Sequence, residues 1–398
     1  MTAAPPPRRL AVVLSHPTQY YGPWLRWIQA HSALQLRVFY LWDFGVTSQR
    51  DPSFQTTFQW DVDLLSGYEH EFVPNVARHP GTEHFWGLRN PALTARLAAW
   101  RPDAVLIFGY AYASHLRAIA WARWHRVPLI FRGDSHFIGR GAPRGWRAAV
   151  LRGIYRQFAA VTYVGRANRE YFASLGVPAG RLFFAPHAVN HALFNPATDA
   201  TRAAAAALRL QLGITPDTRV VVFAGKYVPA KQPRELLAAF LALGLPRTAL
   251  VFVGDGPEAP ALREAARAAP PGRVHFLPFA NQTEMPARYR LGDVFALPSR
   301  GLYETWGLAV NEAMHLGVPC LVSDRVGCQQ DLVEDGVTGW VFRADDAADL
   351  RGKLSAALTG DLADFPGRIA ARIAGYGYAQ ATAGLLAAVD QALGTAVR

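Results

Sequence analysis

Residues 293–319, Asp-Val-Phe-Ala-Leu-Pro-Ser-Arg-Gly-Leu-Tyr-Glu-Thr-Trp-Gly-Leu-Ala-Val-Asn-Glu-Ala-Met-His-Leu-Gly-Val-Pro, constrain this chain more than any other stretch. The apolar run Val294–Leu297, closed by Pro298 and Ser299, reads as a buried strand. A polar loop follows, then a helical pattern from about Trp306 to Leu316, with Gly317 at the capping position and Pro319 forbidding continuation. Strand, loop and helix in this order point unpaired N–H groups and a positive dipole end at whatever lies beyond the strand. Phosphate is the usual guest. Glu312, inside the helix, is placed to accept hydrogen bonds from vicinal hydroxyls such as those of ribose. Glu304, on the loop, can do the same for a sugar.

The length, 398 residues, suits two domains of roughly 150–200 residues rather than one core. With 51% hydrophobic and 18% charged residues the composition is that of a globular protein. No stretch of about 18 apolar residues reads as a membrane span. The opening Met-Thr-Ala-Ala-Pro-Pro-Pro-Arg-Arg lacks the apolar core of a signal peptide, so cytoplasm is the default expectation. Cys320 and Cys328 are the only cysteines and have neither a metal-ligand spacing nor a disulfide framework.

A net charge of +11 raises nucleic acid, anionic membrane and phosphorylated substrates as partners. Of the 41 basic residues only Lys226, Lys231 and Lys353 are lysine. A genome favouring arginine and alanine codons produces such a bias, which makes the residual lysines informative. Two of them lie close together, where a compact ammonium serves a purpose that a forked guanidinium does not.

The spaced pair Glu304 and Glu312, in Glu-Thr-Trp-Gly-Leu-Ala-Val-Asn-Glu-Ala-Met, resembles the Glu-x7-Glu signature of glycosyltransferase family 4. That resemblance implies an α/β chain of the GT-B type: two Rossmann-like domains facing each other across a cleft. It implies an acceptor domain over 1–195, a nucleotide-sugar donor domain over 196–375, and a C-terminal helix over 376–398 crossing back to the first domain. The loop Gly225-Lys226-Tyr227-Val228-Pro229-Ala230-Lys231-Gln232 resembles the family's Gly-Arg-x-x-x-x-Lys-Gly, with Lys226 for the usual Arg and Gln232 for the usual Gly. In the family these two cations hold the donor diphosphate. Gly254-Asp255-Gly256-Pro257 is similar to the family's next turn, and Phe279 falls where the base would lie. Thr305, Trp306, Gly307, Leu308 and Ala309 complete the implied donor site, the last two through their N–H groups.

In the first domain, Leu10–Leu14, a helix with Trp24, Leu25, Trp27 and Ile28, and Leu34–Leu41 form a βαβ opening. The loop after the first strand lacks Gly-x-Gly-x-x-Gly and is not a dinucleotide site. In GT-B enzymes it faces the cleft, which makes His16, Gln19, Tyr20 and Gly22 candidates there. Many members carry a histidine near the end of a later strand, beside the sugar C1. The matching position here is Asp134, a departure from the pattern, and it is paired with Arg132 and His136 as cleft candidates. Pro186-His187-Ala188-Val189-Asn190 resembles the family's Pro-Asn-Gly-Val-Asp turn. Residues 43–90, with Asp51-Pro52-Ser53-Phe54, Trp60-Asp61 and His84-Phe85-Trp86-Gly87, read as long functional loops whose aromatics suit an acceptor sugar. The basic segment 139–158 has apolar residues at roughly helical spacing, a pattern that can rest on anionic lipid at the inner face of a membrane or be an ordinary arginine-rich helix.

The expectation is therefore a retaining hexosyltransferase without metal or other cofactor. Its donor is a nucleotide-diphosphate sugar, UDP first and GDP next, and its acceptor a carbohydrate or lipid-linked glycan. Asp134, Lys226, Lys231 and Glu304 carry the chemistry. A GT-B-fold sugar-nucleotide epimerase or a phosphorylase competes with this reading. A nucleic-acid-binding protein ranks last, because the arginines are spread along the chain.

Overall fold

The computed structural model describes residues 7–46, 49–51, 56–301 and 304–396. Pro52, Ser53 and Phe54 of the aromatic loop, and Leu302 and Tyr303 ahead of Glu304, lie outside the described residues. Two parallel sheets carry the chain. The first runs edge to edge as Glu69–Phe72, Gln35–Tyr40, Arg9–Leu14, Ala104–Phe108, Leu129–Arg132, Ala160–Tyr163 and Leu182–Phe184. The second runs as Val274–Leu277, Thr248–Val253, Arg219–Ala224, Val294–Leu297, Cys320–Ser323 and Gly339–Phe342. Their central strands are buried along their length, as parallel strands covered by helices on both faces must be.

Leu93, Leu97, Ile119, Tyr155 and Phe172 cover one face of the first sheet. Trp24, Leu25 and Ile28 cover the other, joined there by Tyr378, Leu385 and Val389 of the C-terminal helix Tyr378–Ala396. That helix has left the second domain and packs on the first, where the indole Nε1 of Trp24 donates to Thr382 Oγ1 at 3.1 Å. The two halves are thus tied by chain exchange as well as by contact.

Register decides what meets in the cleft. Phe108 pairs with Arg132, Arg132 with Thr162, and Tyr163 with Phe184, so the loops after these strands leave the sheet along one edge. In the second sheet Ala224 pairs with Val253, Val253 with Leu277 and Phe223 with Ala296. The loops carrying Lys226, Gly254, Phe279 and Glu304 therefore share an edge too. Ligands of open parallel sheets bind beyond the carboxyl ends of the strands, and here two such edges face one another. This is the GT-B arrangement.

Residues 43–90 hold more regular structure than their composition suggests. Glu69–Phe72 is an edge strand of the first sheet, and its half-exposed, charged sequence hides the strand because one side has no neighbour to bury it. The basic segment resolves into the helix Gly145–Tyr155, shorter than 139–158. Cys320 and Cys328 are both buried free thiols.

Candidate active site

A cavity of about 380 Å³ opens between the two facing edges. On its second-domain side lie Gly225, Lys226 and Lys231 from the loop after Arg219–Ala224, Gly254 after Thr248–Val253, and Phe279 after Val274–Leu277. Glu304, Thr305, Trp306, Gly307, Leu308, Ala309 and Glu312 complete that side. Gln19, Tyr20, Trp60 and Asp134 face them from the first domain.

The helix Leu308–His315 begins at Gly307, whose φ of 95° is the left-handed conformation that starts the helix directly after a loop. A side chain there would also meet Val326 at 2.8 Å. Gly307, Leu308 and Ala309 at the helix start line the cavity, and no side chain caps that start. Trp306 is buried and donates through Nε1 to Asn311 Oδ1 at 2.7 Å, bracing the loop against the helix it precedes.

Three carboxylates differ sharply in surroundings. Glu304 takes the Lys231 ammonium as its partner and accepts from Ser299 Oγ at 2.8 Å. Both lie at the cavity wall, where a negative ligand would compete for Lys231. Glu312 is 3% exposed and, among the described residues, forms no ion pair. It accepts from Tyr289 OH at 2.7 Å and from Gln282 Nε2 at 2.9 Å. Burial pushes its carboxyl up to about 7 against the pull of hydrogen bonds from Tyr289 and Tyr20. Asp134 accepts from Thr305 Oγ1 of the opposite domain at 2.8 Å, and the His187 Nε2 lies 3.5 Å from the same oxygen. Burial works against its charge, but the His187 and Thr305 contacts outweigh it and hold the carboxyl down at about 2. It is an anion facing the cavity.

The residues matched are 46–193 for the family model of glycosyltransferase family 4 and 206–375 for that of glycosyl transferases group 1. A GDP-mannose-dependent alpha-(1-6)-phosphatidylinositol monomannoside mannosyltransferase of Mycobacterium tuberculosis is 33% identical over 289 residues, 71% of this chain and 72% of that one. The chain belongs to glycosyltransferase family 4. The protein of the same description from Mycolicibacterium smegmatis is 36% identical over 229 residues, and the matched region spans 57% of that relative's length. Sucrose-phosphate synthase from Thermosynechococcus elongatus shares the fold with a TM-score of 0.70 at 19% identity, covering 98% of this chain and all of that one.

Against the family's pattern, four expected residues stand outside the cavity lining. Arg132 is fully buried behind it, donating to the carbonyls of Ala185 at 2.8 Å and Pro186 at 3.2 Å, with its guanidinium 4.6 Å from the Trp24 ring. It fixes the turn that carries His187 rather than meeting a ligand. His16 packs edge-on against Trp42 and Phe44 and takes a hydrogen-bond contact of 3.0 Å with Ser15; burial lowers its pKa to about 4. Gly22 lies against the backbone of Leu64, where a Cβ would meet its carbonyl at 2.5 Å. His136 accepts from the Ile138 amide through Nδ1, which puts its proton on Nε2, 3.4 Å from the Glu304 carbonyl. It bridges the domains beside the cavity.

Gln282 and Tyr289 escape a reading of the sequence, and His187 and Trp60 are read only as part of a turn and of an acceptor-side segment. His187 is buried between Tyr21 and Trp306, and its carbonyl accepts from Asn311. The match of its turn to the family motif is a signal for the position but not for the side chain. Tyr289 reads as an ordinary core aromatic. Trp60 belongs to the segment expected on the acceptor side, yet it lines the same cavity as Phe279. The neighbouring Asp61 accepts from the Thr283 amide at 3.2 Å and from its hydroxyl, and Asn281 Nδ2 donates to the Gln59 carbonyl at 2.7 Å. Asp61→Ala should loosen this strap and raise the donor KM by a factor on the order of 5, with little change in kcat. Equal KM values in initial-rate assays would remove the strap from the account.

Proposed function

We propose that the chain transfers a hexose, with retention of configuration and without a metal ion, from a nucleotide-diphosphate sugar to a carbohydrate or lipid-linked acceptor. The observation that carries this is the convergence on one cavity of Lys226, Lys231 and an uncapped helix start, with Glu304 and Glu312 on either side of that start. Two ammonium groups and aligned amides suit a diphosphate whose charge grows as it leaves. Glu304 suits the hydroxyls of the donor sugar, and Glu312 those of the ribose.

In this reading the bond between the sugar C1 and the diphosphate oxygen breaks while an acceptor hydroxyl bonds to C1 from the same side. The acceptor proton passes to the departing diphosphate oxygen, so no second carboxylate acts as base. Asp134, ionised and held by Thr305, faces the positive charge that develops at C1. Donor arrival transfers Lys231 from Glu304 to the diphosphate and frees Glu304 for the sugar. Because two relatives are named for GDP-mannose, that donor is tested ahead of UDP-sugars.

The experiment is incubation with GDP-mannose, UDP-glucose and related donors in chelator, with a panel of glycoside and phosphoglycolipid acceptors. Nucleoside diphosphate release is followed, and the product anomer is read by NMR. One α-linked donor should yield an α-linked product. An inverted product would end the retaining mechanism, and no release from any donor would end the transferase reading.

A further inference from the structure

The net charge is not distributed as the arginines are. Residues 113–181 hold twelve arginines, no lysine and only two carboxylates, Asp134 and Glu170, and so +10 of the chain's formal +11. A codon bias toward arginine does not deplete Asp and Glu from one segment. Elsewhere arginines sit on carboxylates, as Arg26 does on Asp63, Arg37 on Glu69, Arg325 on Asp345 and Arg372 on Glu334.

Four of the segment's arginines line one cavity. A second cavity, of about 440 Å³, is lined by Arg123 and Arg126 at the end of the helix Ala113–Trp124, by Arg156 at the end of Gly145–Tyr155, and by Arg181 of the turn Ala179–Arg181. Its lining contains no carboxylate. Among the described residues none of the four guanidiniums has a hydrogen-bond or ion-pair partner, whereas an interspersed surface would supply one. The floor is Pro128, Leu129, Phe158 and Ala159, where the strands Leu129–Arg132 and Ala160–Tyr163 begin. Asp134 follows the other end of the first of these strands, so the two cavities lie at opposite ends of the sheet. Trp124, beside Arg123, is 85% exposed.

We infer that this four-arginine cavity is a binding site for a phosphate group, distinct from the donor cavity and independent of the transfer reaction. Guanidinium forks match phosphate oxygens in pairs, and four of them around an apolar floor supply more charge than a single phosphate carries. The phosphate can belong to a soluble molecule or to an anionic lipid headgroup. In the second case Trp124 would enter the lipid interface, as exposed tryptophans beside basic residues do.

The test uses the full chain carrying Lys231→Ala, so that the donor cavity does not contribute, with and without Arg126→Gln and Arg156→Gln together. One arm titrates inorganic phosphate and pyrophosphate by calorimetry in chloride buffer. The other measures sedimentation with phosphatidylcholine vesicles containing or lacking phosphatidylglycerol, and the Trp124 fluorescence by comparison with Trp124→Phe. Binding in either arm should weaken about tenfold for each arginine removed, while the melting temperature stays unchanged. Binding in the first arm alone identifies a soluble phosphate. Binding to anionic vesicles alone, with a Trp124 blue shift, identifies a headgroup. No binding in either arm, or binding that the double variant retains, overturns the site.

Discussion

Lys231→Ala should reduce turnover by about 10²- to 10³-fold, the usual cost of removing one preorganised group that stabilises charge developing in the transition state. The loss should fall on kcat more than on KM. In the unliganded protein Lys231 already has a partner in Glu304, so part of its attraction for a donor is spent on leaving that carboxylate. Its full effect appears only as the diphosphate gains charge. Glu304→Ala should cost a similar factor by removing the contact to the donor sugar proposed above. The double variant should be at least as impaired as the product of the two losses, because donor arrival separates the pair and each single variant already removes the contact that holds them together in the unliganded protein. A double variant far less impaired than that product would mean that the two still act as one unit in the transition state.

The second large effect concerns Glu312 and pH. The unfolded chain releases this proton near 4.5, whereas burial raises the folded value to about 7. Between these values the folded chain holds the proton more tightly than the unfolded one. The carboxyl therefore favours folding most below about pH 4.5, and that contribution is lost as pH rises through 7. The span corresponds to an amount on the order of 3 kcal/mol. Glu312→Gln keeps the shape and can still accept from Tyr289, so it should flatten the stability curve over this range and leave the variant more stable than the parent at pH 8. Urea unfolding at several pH values measures it, and superimposable curves for the two proteins would refute a buried proton at this position. A ribose that donates its hydroxyls to Glu312 favours the ionised form. Nucleotide binding near pH 6 should accordingly release a proton, visible in titrations across buffers of different ionisation heat.

The convergence of Lys226, Lys231, Glu304 and Glu312 on one cavity was legible because its parts are local. Val294–Leu297, the loop with Glu304 and the helix with Glu312 are contiguous, and Lys226 and Lys231 lie in one turn made conspicuous by the scarcity of lysine. The expected helix start near Trp306 moved only to Leu308. What determines the behaviour of Glu312 was not legible, since Gln282 and Tyr289 reach it from other elements and nothing in Met285–Arg290 distinguishes Tyr289 from a core residue. Asp134 and His187 are likewise neighbours only because parallel register brings the ends of Leu129–Arg132 and Leu182–Phe184 to one edge. Arg132 looked like a cleft cation and proved to be a buried brace, a distinction set by the Trp24 ring and two backbone carbonyls that no spacing announces.

Thermal melting with UDP, GDP and ADP in the presence of chelator asks whether the cavity holds a nucleoside diphosphate on protein groups alone. A ligand at 100 times its dissociation constant adds about 2.7 kcal/mol to the stability of the protein that binds it, which is a shift of several degrees here. One of the three should raise the melting temperature in chelator, and Lys231→Ala should abolish the rise. No rise with any of them, or a rise that appears only when a divalent metal is restored, would contradict binding on protein groups alone.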